Sequence, residues 1–311
     1  MPSLEALAEL RDAGVVRIVG VVTQPDRPGH RRALTAPAVK ARANALGLSV
    51  LQPSSLRGPD LDAILALGPQ LLVWAAYGNL IPRALLDAAG SRAVNVHASL
   101  LPRWRGAAPI AHAILAGDGE TGVTLMEGTT ELDAGPILAQ ERVHIGPRES
   151  AGELTERLAR VGGSLLLREL PRYVAGELRG APQDPALATH APKLGSEDAR
   201  IEWSRPAEEV ARRIRAMTPA PGAWTTLRGR RVILSSATVL GGPPREHGTL
   251  VLGRDAPPAY AAYWGRTTAP HVACGAGWLR LDHVRPAGKR EMTGEEWARG
   301  LRIDGEERVP S

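Results

Sequence analysis

Apolar residues recur along the first half of the chain in two alternating rhythms. Leu4, Leu7 and Leu10 fall at helical spacing over residues 3–13, Gly14 ends that helix, and the β-branched run 15–23 predicts a buried strand. The alternation continues with helical patterns over 36–46 and 61–67, an extended stretch over 49–52 and a strand over 71–76. Residues 93–96 predict another short strand, 107–116 a helix, and 122–127 and 137–145 two further strands. Strands separated by helices imply an α/β domain with a doubly wound, mostly parallel sheet. Ser150-Ala151-Gly152-Glu153 has the form of a capping box, and Leu154, Leu158, Val161 and Leu165 place one apolar stripe on the helix it opens.

The rhythm then changes. Residues 179–188, rich in Pro, Gln, Asp and Ala, have linker composition, and 206–217 predict an amphipathic helix with Arg212, Arg213 and Arg215 on its exposed side. Short strands follow over 225–227, 232–235, 248–252 and 278–284, with Gly-rich turns between them, and Thr293 starts a last helix. One helix followed by many short strands suggests a small β-barrel. Residues 256–272, rich in Tyr and Trp, match no element. The expected organisation is a first domain over 1–178, a linker over 179–204 and a second domain over 205–311.

Composition narrows the class. A chain of 311 residues, 43% hydrophobic and 23% charged, has the make-up of a soluble globular protein large enough for two cores. The single cysteine, Cys274, excludes an internal disulfide and fits a reducing cytoplasm; no apolar run reaches the length of a membrane span, and the opening residues lack a signal-peptide pattern. From Arg205 onward there are 17 Lys and Arg against 11 Asp and Glu, whereas the preceding part has 21 against 22. A basic module joined to a near-neutral one suggests a polyanionic partner held by the former while chemistry proceeds on the latter. The loop at 24–32 is also basic, with Arg27, Arg31 and Arg32. Nowhere is there a dinucleotide fingerprint, a Walker loop or a Cys/His cluster with metal-ligand spacing.

The candidate chemistry lies where the strand over 93–96 ends. Asn95 and His97, two positions apart, share one side of that strand, and such strand ends are where open α/β sheets keep their sites. An amide, an imidazole and the carboxylate of Asp133 suit attack on a carbonyl by an amine. His97 accepts or relays the amine proton, Asn95 donates to the developing oxyanion, and Asp133 orients the imidazole and assists the leaving group. Asp133 before Ala134-Gly135-Pro136 is also ordinary turn chemistry, and a turn presents a carboxylate well. Neither Ser99 nor Cys274 has sequence support as a covalent nucleophile, which favours direct transfer.

At these residues the chain resembles the folate-dependent formyltransferases. The run Ser-Leu-Leu-Pro-Arg-Trp-Arg-Gly-Ala-Ala-Pro-Ile from Ser99 to Ile110 is similar to that of the branch acting on methionyl-tRNA, and Arg285 to Met292 is similar to its closing signature. The resemblance implies a formyltransferase fold with a Rossmann-like sheet, followed by an OB-like barrel that binds tRNA. It implies Asn95, His97 and Asp133 as catalytic residues, and Ser99, Leu100, Leu101 and Pro102, with Tyr77, Gly78, Leu80 and Ile81, as contacts of the folate. Arg27, Arg31 and Arg32 become contacts of the tRNA acceptor stem. The implied activity is transfer of the formyl group of 10-formyltetrahydrofolate to the α-amine of methionyl initiator tRNA, for translation initiation. The implied protein is cytoplasmic and monomeric, without metal or membrane. Sugar-nucleotide formyltransferases and formyl-tetrahydrofolate hydrolases are the rival enzymes; a catalytically silent tRNA-binding module is disfavoured by the intact Asn95, His97 and Asp133. Members of the resembled family open with an apolar strand before a Pro-Ser-Leu-Glu-Ala-Leu-like helix, and here Met1 directly precedes Pro2. The expectation is a missing first strand, with the native start upstream or the chain a truncated form.

Overall fold

The run Ala93–His97, rich in β-branched and small residues, forms a strand that pairs in parallel with Leu72–Ala75 and antiparallel with Glu120–Glu127, which in turn pairs with Ile137–His144. These four strands make one sheet of the computed structural model, which describes residues 1–28, 34–78, 80–90, 92–265, 267–303 and 305–310. By internal contacts the chain divides into two units. One comprises Met1–Pro109, Glu120–His144 and Thr155–Pro192; the other comprises Ile110–Gly119, Ile145–Leu154 and Lys193–Ser311.

In the first unit the helix Pro2–Asp12 buries Leu4 and Leu10, as its spacing predicts. The strand expected over 15–23 is realised only at Val21–Val22, which pairs in parallel with Val50–Leu51 as a separate two-stranded ladder. A strand persists only where a neighbour takes its backbone groups. Residues 18–20 instead line an apolar cavity of about 320 Å³ that also touches Leu4, Leu72, Trp74 and Tyr77, so the two ladders do not join. The capping box closes as predicted, with Ser150 N–H donating to Glu153 at 2.9 Å and Glu153 N–H donating to Ser150 Oγ at 3.3 Å. The helix Ala151–Val174 that follows buries Leu158, Leu165, Leu166 and Leu170. It runs close behind the sheet: a Cβ at Gly162 would stand 2.8 Å from Val96 Cγ1, so this helix needs no side chain there.

The second unit is an antiparallel sheet in the order Glu306–Arg308, Thr249–Leu252, Pro270–Ala273, Trp278–Pro286, Arg230–Leu240, Ala223–Leu227, with Met292–Thr293 also paired to Trp278–Pro286. A register shift near Ser236 bends its longest strand, as bulges do. The core is Trp203, Leu234, Leu250, Val272 and Leu279, covered by Val210 and Ile214 of the helix Ala207–Ala216. This is the OB-like arrangement anticipated. Arg212, Arg213 and Arg215 are half-buried rather than exposed: Arg213 donates to the Asp198 carbonyl at 2.7 Å and Arg215 to the Glu149 carbonyl at 3.1 Å. Long basic stems lie along apolar surface and end on helix or turn carbonyls, which helical spacing alone does not reveal.

Residues 256–272, unassignable from the sequence, fold as the turn Pro258–Tyr260, the short helix Ala261–Trp264 and the strand Pro270–Ala273. They bring Tyr260 and Trp264 onto Trp278, with ring centroids 5.5 and 4.9 Å away, and stack Trp264 on His271 at 4.0 Å. His271 is fully buried, and burial pushes its imidazole down to about 4. The unfolded chain takes up a proton near the ordinary value of about 6.5 while the folded chain does not. Stability is therefore undiminished above about pH 6.5 and is lost as the pH falls toward 4, by roughly 3 kcal/mol over the whole window. Replacing His271 by Phe removes this term; melting temperatures recorded from pH 7.5 to 4 should fall less steeply for the variant, and parallel curves would contradict the assignment.

Candidate active site

Along the strand Ala93–His97, Val96 faces the helix behind the sheet, so Asn95 and His97 share the opposite face and both are buried. Asp133 arrives from a turn whose backbone is left-handed at that residue, with φ +48°. The turn passes so close to Glu127 that a Cβ at Gly135 would lie 1.8 Å from its carbonyl oxygen, and only glycine fits. Three groups converge on the Asp133 carboxylate. Asn95 Nδ2 donates to Oδ1 at 3.1 Å, the Gly106 N–H donates to Oδ2 at 2.9 Å, and His97 Nδ1 stands 3.6 Å from Oδ2. Because a carboxylate only accepts, the Asn95 nitrogen must face it, which fixes the amide's orientation and commits one of its two N–H groups.

The imidazole is oriented from its other end. His97 Nε2 lies 2.9 Å from the Trp104 carbonyl, and a carbonyl cannot donate, so Nε2 carries the hydrogen and the neutral ring keeps its lone pair on Nδ1. The tautomer-setting part expected of Asp133 thus falls to a backbone oxygen. Trp104 itself has φ +64°. It is held there by residues 189–191: Trp104 N–H donates to Thr189 Oγ1 at 2.9 Å, Arg105 N–H to the Thr189 carbonyl at 2.8 Å, and Ala191 N–H to the Arg105 carbonyl at 2.7 Å. Gly106 follows at φ +118°, where a Cβ would meet the Ala191 carbonyl oxygen at 2.8 Å.

Of the residues singled out as folate contacts, Ser99 and Leu101 are buried, and their polar atoms are engaged inside the protein. Ser99 Oγ donates to the Arg103 carbonyl at 2.7 Å, the Leu101 N–H donates to Thr124 Oγ1 at 3.1 Å, and the Leu101 carbonyl accepts from Gln140 at 2.8 Å. Leu100 and Pro102 are half-buried. Tyr77 and Ile81 pack with Leu56, Ile64 and Leu85, burial raises the Tyr77 phenol above its ordinary value, and its carbonyl accepts from Gln24 at 3.1 Å. Gly78 is exposed, and Leu80 is 64% exposed. Leu72–Ala75 and Ala93–His97 are parallel neighbours with Ala75 opposite Val96, so the segments starting at Tyr77 and Ser99 leave the same end of the sheet. Arg27 belongs to the short ladder Arg27–Pro28 with Leu34–Thr35; Arg31 and Arg32 lie outside the described residues.

Sequence patterns did not single out the Trp104 carbonyl, the Gly106 N–H, Thr189 or Gln183. The first two are backbone groups, and Gly106 was visible only as one letter of the long run. Gln183 donates to the carbonyls of Asp133 at 2.9 Å and Gly135 at 2.7 Å and accepts from Arg105 Nε at 3.1 Å and Nη2 at 2.7 Å. It sits fifty residues from the turn it touches, in a stretch without periodicity.

Two family models match the chain, Formyl transferase over residues 4–170 and Formyl transferase, C-terminal domain, over residues 193–302. The methionyl-tRNA formyltransferase of Acidithiobacillus ferrooxidans is 44% identical over 298 residues, covering 95% of this chain and 91% of that protein. That of Halorhodospira halophila is 42% identical over 304 residues, covering 97% and 93%. Among solved structures, HypX from Aquifex aeolicus in complex with tetrahydrofolic acid superposes with a TM-score of 0.61 at 18% identity, over 92% of this chain and 50% of that one, a likeness of fold. With this identity sustained along nearly its whole length, and with both formyl transferase models matched, the chain belongs to the methionyl-tRNA formyltransferases.

Proposed function

We propose that Asn95, His97 and Asp133 perform formyl transfer to the α-amine of methionyl initiator tRNA, the reaction named by the chain's family. The observation that carries this is the shared carboxylate: Asp133 gathers Asn95, the Gly106 N–H and His97 Nδ1 on one face of the sheet. When bound, 10-formyltetrahydrofolate supplies an electrophilic formyl carbon. The polar centre suits such a group, and the exposed Leu80 and Leu132, on the Tyr77–Ile81 segment and beside Asp133, offer apolar surface to a flat heteroaromatic ring. The remaining folate contacts are assigned to Leu100, Pro102, Tyr77, Gly78 and Ile81; Ser99 and Leu101, buried with their polar atoms engaged, set the shape of that segment from inside the protein rather than touching the ring.

The chain's own residues then divide the work. An amine attacks only when neutral and must lose a proton as the new bond forms; His97 Nδ1, the nitrogen left with its lone pair, takes it directly or through water. The uncommitted N–H of Asn95 faces the oxygen that gains negative charge. Asp133, accepting from two donors already, balances the imidazolium that His97 becomes; as the bond between the formyl carbon and the folate nitrogen breaks, His97, assisted by Asp133, returns that proton to the nitrogen, and tetrahydrofolate leaves with that nitrogen neutral. Incubating the protein with 10-formyltetrahydrofolate and either methionyl initiator tRNA, a UDP-amino sugar, glycinamide ribonucleotide or water tests this function. Formylation of the tRNA alone is expected; formate on another acceptor would replace it.

Arg27, Arg31 and Arg32 are assigned to the tRNA backbone on the strength of the basic sequence over residues 24–32 and its resemblance to the family. Two phosphate contacts contribute roughly 1.4–1.8 to the slope of log affinity against log salt. Arg31→Ala with Arg32→Ala should therefore weaken tRNA binding and flatten that slope by about this amount, as filter binding at several salt concentrations would show. An unchanged slope would move the contacts to the second unit. We assign the protein to the cytoplasm as a monomer; among the described residues no helix is long and apolar enough to cross a membrane.

A further inference from the structure

Gln183 uses every hydrogen-bonding position of its side chain. Its oxygen accepts twice from the Arg105 guanidinium, at 3.1 and 2.7 Å, and its nitrogen donates twice, to the carbonyls of Asp133 and Gly135 at 2.9 and 2.7 Å. A primary amide has two acceptor and two donor positions, so none is left over and the group cannot be flipped without losing all four bonds. The two carbonyls it gathers belong to the Asp133 turn, whose backbone is left-handed at Asp133 with φ +48°, a region that aspartate enters more readily than most residues but that is one local minimum among several, so the bonds of Gln183 select it. On the other side Arg105 is joined through its backbone to residues 189–191, and its neighbours Trp104 and Gly106 supply the partners of His97 Nε2 and Asp133 Oδ2. One side chain therefore ties the turn that carries the carboxylate to the segment that orients the imidazole. The backbone pairing of Ala181 with Ile137, at 2.7 and 2.9 Å in the two directions, fixes where Gln183 starts.

We infer that Gln183 is a positioning residue for formyl transfer, holding the Asp133 turn in register with Trp104 and Gly106 so that the carboxylate meets Asn95 and His97 together. This rests on the assignment of Asp133 made above. The side chain of Gln183 bonds to Arg105 and to the carbonyls of Asp133 and Gly135 rather than to the Asp133 carboxylate, Asn95 or His97, so its effect passes through the position of Asp133. Gln183→Glu keeps acceptors toward Arg105 but sets a carboxylate oxygen against two carbonyl oxygens. Gln183→Met removes all four bonds at similar volume. Displacement of a reacting group by an ångström typically costs about 10²-fold in rate.

The test is steady-state kinetics with methionyl-tRNA and 10-formyltetrahydrofolate on four proteins: the parent, Gln183→Glu, Asp133→Asn and the double variant, with a melting curve for each. Gln183→Glu should lower kcat by about 10²-fold while both KM values stay within about twofold, because the loss falls on the transition state. In the Asp133→Asn background the same change should cost less than about threefold, since residues acting through one group are not additive. A residue that merely supported the fold would cost the same factor in both backgrounds. Gln183→Met repeats the comparison without the added charge, and either variant suffices if the other does not fold. If Asp133→Asn alone turns over normally, the assignment of Asp133 fails and the proposal with it. If Asp133→Asn is slow but Gln183→Glu is normal, or its loss is undiminished in the double variant, only the role of Gln183 is overturned.

Discussion

Asp133→Asn should lower kcat by about 10²–10³-fold while leaving tRNA affinity close to that of the parent. The carboxylate accepts from two fixed donors, the Asn95 amide at 3.1 Å and the Gly106 N–H at 2.9 Å. An asparagine has one oxygen and one NH₂ in their place, so whichever way it turns, one buried donor faces another donor and the geometry must give. In the proposed mechanism the charge that balances the imidazolium of His97 is lost at the same time. Single-turnover rates at saturating tRNA and folate separate this loss from any change in binding. A rate within about threefold of the parent would remove Asp133 from the mechanism.

Asn95→Ala should cost about as much, roughly 10²–10³-fold in kcat, for a different reason. It deletes the donor to which the proposed mechanism gives the oxygen that gains charge, and it also removes the Asn95 hydrogen bond to Asp133 Oδ1. Here the fold should survive, since Asn95 lies in a strand whose ladder to Leu72–Ala75 and Glu120–Glu127 is made by backbone alone. Measured tRNA affinity should be nearly unchanged; a normal turnover number for this variant would refute the oxyanion role.

The sequence carried the parts of the site that depend on side-chain identity at short range. Two positions on one strand place Asn95 and His97 on one face by pleat geometry, and the Asp133-Ala134-Gly135 order signals a turn that can present a carboxylate. It did not carry the parts that depend on backbone groups or distant pairing. The hydrogen on His97 Nε2 is set by the carbonyl of Trp104, which has no letter of its own, and that carbonyl is aimed by Thr189, eighty-five residues away. Gln183 lies in a segment whose Pro and Asp content marks it as connecting chain, yet its amide joins two parts of the centre. In the second unit the strand Pro270–Ala273 was missed because it is four residues long and begins with Pro, a residue at home at the start of strands and rare inside them. The tyrosine and tryptophan before it had no periodicity because they serve one another and Trp278 rather than a helix face or a sheet face.

The cavity between the two ladders of the first unit has a consequence for how its parts are held together. Cooperative units in a protein are bounded where few backbone bonds cross, and no ladder bond joins Val21–Val22 and Val50–Leu51 to the four strands that begin at Leu72. The part of this unit before Leu72 is therefore joined to the sheet beside it by side-chain packing, as of Val22 and Leu51 with Leu72, and not by a shared ladder. Asn95, His97 and Asp133 all belong to the sheet or to the turns that cross its end, and Gln183, Thr189 and Ala191 brace them from beyond residue 180. The ladder that carries Asn95 and His97 thus includes no strand from the first seventy residues, whereas the Tyr77 segment packs on Leu56 and Ile64 from that part of the chain and is tied to Gln24.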